Sequence, residues 1–177
     1  SKKKKVKPAI AVSIYVTLLQ NVIDSGFIEI KDFINNNNNL VNNPNLKESD
    51  IDWFSNVVFL GNIKNLDLYF EEEEVSVLRA LILDEIYKDL HDNDQHLAIE
   101  KFLDYENYFK ELLVKYELPI NAMAHAIFEK YNINDFQGDL FKKKNKPNPV
   151  FLNELKNLLR HFVWNWEEYL EKNKLKF

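Results

Sequence analysis

Apart from carboxylates, lysines and hydroxyls, the reactive inventory of this chain is four histidines and two arginines, with no cysteine. The one local group of metal-capable side chains is His91, Asp92, Asp94 and His96. A metal-dependent hydrolase built around His91 and His96 is the chemistry such a group would serve. The competing reading is a polar turn whose side chains cap the helices on either side. His125 lies four residues before Glu129, on one helical face, which is the spacing of a base–acid pair. No nucleophile accompanies it, because serine is scarce and none sits in a strand–turn–helix context. Lack of cysteine excludes disulfides, thiolate metal sites and a cysteine nucleophile. It fits a reducing compartment, so the expected location is cytoplasmic, or nuclear in a eukaryote.

Known helical site patterns are incomplete. The His91-Asp92 dipeptide resembles that of HD-domain phosphohydrolases, whose metal set needs an earlier histidine, and none precedes His91. No histidine has a glutamate three positions before it, as di-iron bundles require. Arg79 and Arg160 lack the histidine four to six residues on that short helical ribonucleases of the HEPN type carry. With only 3 glycines, none closely paired, a phosphate-cradling loop is absent. The sequence therefore predicts no catalytic residue, no metal and no cofactor.

What remains is surface. The stretch from Asp67 to Glu106 carries 13 acidic residues against Arg79, Lys88 and Lys101, with Glu71, Glu72, Glu73 and Glu74 at its densest point. Trp164 falls with Arg160 on the polar face of the last amphipathic segment, and exposed Trp and Arg are typical interface anchors. The alternative is that the stretch from 132 to 148 folds over Trp164. These residues point to a non-catalytic protein–protein interaction module: an adaptor, an accessory subunit or an inhibitor of the immunity type. Its acidic helix would steer a basic partner.

A second reading is a nucleic-acid-binding accessory protein using Lys2, Lys3, Lys4, Lys5, Lys142, Lys143, Lys144 and Lys146. In a strictly alternating bundle the first and last helices begin at the same end, which would bring these two clusters together. The 21 lysines against two arginines, with abundant asparagine, read as AT-rich coding bias.

The elements that must position these residues are helices. At 177 residues the chain is one domain's worth, and 46% apolar content with few Gly and Pro suits long helices around one core. The 3.6-residue period of apolar side chains predicts an all-α, irregular bundle of six to seven helices and no strand. Pro8 opens a first, central helix that Gly26 stops, and Phe27 to Ile34 add one or two turns. Further helices are predicted over 49–60 (stopped by Gly61), 67–90, 94–116, 119–131 and 148–172. Small residues Ala122, Ala124 and Ala126 allow a close crossing. A basic disordered arm (1–7), an Asn-rich loop (35–46) and a Lys-rich loop (132–148) complete the single domain. The apolar run Ala9 to Ile23 is about 15 residues, short of the roughly 20 that span a bilayer, and a polar stripe interrupts it. No membrane association is expected, and the oligomeric state is left open.

Overall fold

Proline pre-sets the helical φ and lacks the N–H that a first turn cannot use, so α1 begins at Pro8. In the computed structural model, which describes residues 2–177, it runs unbroken to Asn35. Gly26 does not end it. The ring of Phe162 lies against this glycine, and a Cβ there would come within 2.7 Å of the ring. The glycine is a docking notch inside the helix. At 28 residues α1 is longer than the sequence suggests, and an 18-residue window of it has a mean hydropathy of 1.3. By length and composition alone that is enough to cross a bilayer, although 39% of the window is buried in the bundle.

The same correction applies to Gly61. A 3₁₀ turn at Glu48–Asp50 leads into α2 (Ile51–Asn65), which passes straight through the glycine. A Cβ on Gly61 would fall inside the Met123 thioether. A helix stop is the usual local role of a glycine. Here distant side chains claim the missing Cβ volume instead.

A 3₁₀ turn at Leu66–Leu68 delays α3 to Glu72–Tyr87. Its start is a reciprocal capping box, in which the Glu71 N–H donates to the Glu74 carboxylate at 3.0 Å. Helix α4 (Asp92–Tyr116) and α5 (Pro119–Lys130) follow closely, as their stripe and proline predict. Every residue of α5 from Ala122 to Phe128 is buried, and it packs against α2, α4 and α7. A helix apolar all round belongs at the centre. That place falls to α5, not α1, because its alanines let neighbours approach closely. Each fully buried side chain such as Phe54 or Phe109 contributes about 1.5–3 kcal/mol.

Among the described residues one carboxylate sits in this core. Glu106 is buried on α4 and takes a forked pair from Arg79 of α3, at 2.9 and 2.6 Å, with Lys64 at 3.9 Å. Burial pushes its carboxyl up, but the Arg79 hydrogen bond and charge, with Lys64, hold it below the ordinary glutamate value. Its position between Phe102 and Phe109 on the apolar face was the available signal that this carboxylate points inward.

The stretch 132–148 is partly ordered, with a 3₁₀ turn at Ile133–Phe136 and a short α6 at Asp139–Lys142. Buried Gln137 staples it: the side-chain amide donates to the Lys146 carbonyl and accepts from the Asn148 N–H, both at 2.7 Å.

The last predicted helix is broken. Helix α7 (Pro149–Leu159) ends in a 3₁₀ turn at Arg160–Phe162. An extended step follows, then α8 (Trp166–Lys172) and strand β2 (Asn173–Leu175). Strand β2 pairs in parallel with β1 (Lys4–Val6), setting Lys5 beside Lys174 and Val6 beside Leu175. Residues 4–6 are therefore a strand and not part of a disordered arm; Ser1 of that arm lies outside the described residues. Val6 and Leu175 are buried, and this anchors the pair.

The strand pair also relocates the lysines. Helix α7 runs back along α1, with Phe151 stacked on Phe33 at 5.4 Å and Phe162 at Gly26. The Val41 N–H donates to Phe136 at 2.9 Å, tying the 132–148 stretch to the far end of α1. Lys142 to Lys146 are thus separated from Lys2 to Lys5 by about the length of α1, roughly 40 Å at 1.5 Å per residue. The two clusters do not meet. Lys172, Lys174 and Lys176 join the first cluster instead.

Gly61→Ala tests the α2–α5 crossing. In an open helix this change is favourable, but here overpacking against Met123 is expected to cost about 1–3 kcal/mol. Denaturant unfolding should show that loss shrinking when Met123→Ala is added. A stabilised single variant would contradict the crossing.

Candidate functional site

The break at Val163–Asn165 is built by two asparagines. Asn165 begins a new helix by accepting from the Glu168 N–H at 3.0 Å. Asn165 and Glu168 have the spacing of a capping box inside the last apolar stripe, which is the local sequence signal of the break. Asn62, buried on α2, does the rest. Its amide nitrogen donates to the Phe162 carbonyl at 2.8 Å and its oxygen accepts from the Trp164 N–H at 2.9 Å. It also donates to Val58 at 2.8 Å. One side chain thus satisfies two backbone groups that a break would otherwise orphan.

Trp164 is consequently not on an outer polar face, nor does the 132–148 stretch cover it. It is half-buried, its ring edge-on to Tyr15 at 5.4 Å and 6.0 Å from the rings of Trp166 and Tyr169. Among the described residues the N–H groups of Trp164 and Trp166 and the Tyr15 hydroxyl are buried without a hydrogen-bond partner. Burial pushes the Tyr15 hydroxyl far above its ordinary value, so it stays protonated.

The extended step is a ridge between two clefts, and both include Val163, Trp164 and Asn165 in their walls. The first, about 520 Å³, opens toward α1 and is lined by Leu18, Val22, Tyr169 and Lys172 among others. The second, about 420 Å³, is walled by Leu68, Tyr69, Leu118, Met123 and Arg160. Leu68 and Leu118 at its rim are 72% and 58% exposed. Arg160, whose guanidinium bonds Asn157, therefore shares a cleft with Trp164. Glu71 to Glu74 begin two residues beyond Tyr69. Glu71 and Glu74 are engaged in the capping box, leaving Glu72 and Glu73 as exposed charges.

The catalytic candidates do not converge. His91 is the residue before α4, and exposed His96 sits 3.4 Å from Glu100. Among the described residues no three His, Asp or Glu side chains form a group able to hold a metal. Nor do His125 and Glu129 pair: Glu129 accepts the Tyr108 hydroxyl, while His125 stacks flat on Tyr116 with centroids 3.5 Å apart. Burial first, then the charges of Lys115 and Lys156, lower His125 to about 4. It is a neutral packing group at neutral pH. No family model, curated protein or solved structure matches this chain.

Two predictions follow from these contacts. Asn62→Ala leaves buried backbone groups unpaired and should cost about 2–4 kcal/mol in chemical denaturation. A loss below about 0.5 kcal/mol would show that the break is not held by this side chain. His125 binds its proton near 6.5 when unfolded and near 4 when folded, so the unfolded state takes up more protons between those values. Stability should be flat above pH 6.5 and fall as pH drops from 6.5 toward 4. In His125→Phe, which keeps the stack, the fall between pH 6.5 and 5 should disappear from unfolding curves.

Proposed function

We propose that this protein is a non-catalytic interaction module that receives a basic, apolar-tipped segment of another protein in the cleft beside Trp164. One observation carries the reading: the broken last helix gathers Trp164 and Arg160 into one cleft whose rim is exposed leucine. Exposed apolar side chains grouped with a Trp and an Arg are the residue types that anchor docking sites. Asp67 and Glu117 adjoin its lining residues along the chain, and exposed Glu72 and Glu73 follow Tyr69 by three and four residues, so a basic partner gains long-range steering. A role as adaptor, accessory subunit or inhibitor fits such a surface.

A photo-crosslinking residue at Leu118, in cells that make the protein, tests this directly. One dominant adduct with a basic protein is expected there, and none from the same residue at Val114, which is 87% exposed on α4. Leu68→Asp, or Glu72→Lys with Glu73→Lys, should reduce the adduct about tenfold or more, equivalent to about 1.4 kcal/mol. Equal adducts at both sites, or none at Leu118, would overturn the proposal.

A second reading, nucleic-acid binding, is favoured by one feature: strands β1 and β2 bring Lys2 to Lys5 and Lys7 beside Lys172, Lys174 and Lys176. A polyanion held there would release counterions and bind with steep salt dependence. Filter binding to RNA and DNA at low salt separates the readings, since no retention removes this one.

A further inference from the structure

Helix α1 buries one side and carries a ridge of exposed aliphatics on the other, beside exposed Thr17, Gln20 and Asp24. Ile10, Ile14, Leu18, Val22 and Ile28 are each between 37% and 59% exposed. At 100° per residue they fall within an arc of roughly 120°. Scattered exposed aliphatics need no explanation, but four at every fourth position from Ile10 to Val22, with Ile28 further on, form a ridge that does, although Asn21 and Ser25 share its arc. The same arc is charged at its ends. Lys7 continues it at the start, with Lys4 and Lys5 close by on β1, while Glu29 and Asp32 continue it at the finish. The face thus runs from basic through a mainly aliphatic middle, which includes Asn21 and Ser25, to acidic.

From this we infer that α1 is the interface of a homodimer, in which a second copy packs its own α1 antiparallel across the first. The charge order is complementary to itself when reversed. Lys7 and Glu29 stand eleven residues either side of Leu18, and Ile14 and Val22 stand four. A two-fold axis near Leu18 sets the lysine end of each copy against the Glu29 and Asp32 end of the other. It covers all five aliphatics in one step. Such an interface is isologous and closes at two. Antiparallel helix dipoles favour the same orientation. A parallel pair would instead set lysine against lysine and carboxylate against carboxylate.

The groups flanking this face carry both signs and leave the pairing intact. On the α3 side Glu85 accepts from Ser13 and pairs with Lys88. On the α8 side Glu168 and Lys172 line the first cleft. The second cleft, beside Arg160 and Leu118, shares no α1 residue, so a dimer leaves it open to the partner proposed above.

Sedimentation velocity of the full chain over a wide concentration range is the test. A monomer–dimer equilibrium is expected, abolished by Leu18→Glu, which places like charges beside the axis. Lys7→Glu alone, and Glu29→Lys with Asp32→Lys, should each weaken the dimer about tenfold. Combining the three changes should restore it, which only an antiparallel arrangement explains. A monomer at every concentration, a dimer indifferent to Leu18→Glu, or failure of the combined swap would overturn the inference. So would flotation with anionic vesicles that Leu18→Glu abolishes in a protein that stays monomeric, because lipid would then be what covers this face.

Discussion

Everything distinctive about this surface depends on Asn62. A run of apolar residues from Phe151 to Leu170 with helical spacing would ordinarily continue as one helix along the bundle. It is interrupted at Val163 because an amide on α2 reaches the chain there and pairs with both a carbonyl and an N–H. The energy that permits this is modest per bond, about 1 kcal/mol, but the alternative is a buried amide with no partner, which costs more. With the break in place Trp166 turns inward against Tyr15, and Trp164 becomes a wall between two clefts. The chain then has room to return and pair β2 with β1.

Much of the architecture was legible from periodicity and punctuation. The apolar stripe of α4 and the proline at the start of α5 mark those helices to within two residues, and the alanines of α5 signal its close crossings. What failed was non-local. Gly26 and Gly61 are helix stops by local rule, yet they sit in helix interiors because Phe162 and Met123, far away in sequence, occupy the space a Cβ would fill. The β1–β2 pair is three residues long on each side, too short for any alternation to appear. It rests on Val6 meeting Leu175 across nearly the whole chain.

The candidate site was legible in its residues but not in its geometry. Trp164 and Arg160 read as an exposed pair on one helix; they share a cleft because α7 ends at Leu159 and the chain restarts as α8 at Trp166. Glu71 and Glu74 look like free charges in sequence, whereas half of the acidic cluster is spent on capping α3. A strictly alternating bundle would bring the two lysine clusters together; they lie at opposite ends, since α7 runs antiparallel to α1. His125 had the spacing for proton transfer, and a stacked, desolvated environment makes it a packing group instead. In each case the local chemistry was visible and the partner that redirects it came from elsewhere in the chain.

Amide hydrogen exchange of the unmodified protein, read residue by residue by NMR, tests the central claim most directly. If Asn62 holds the break, the Trp164 amide should exchange as slowly as the α2 core, although it lies outside any helix. Backbone chemical shifts at Val163 should be extended rather than helical. Rapid exchange at Trp164, or helical shifts continuing from Leu159 to Trp166, would contradict the account.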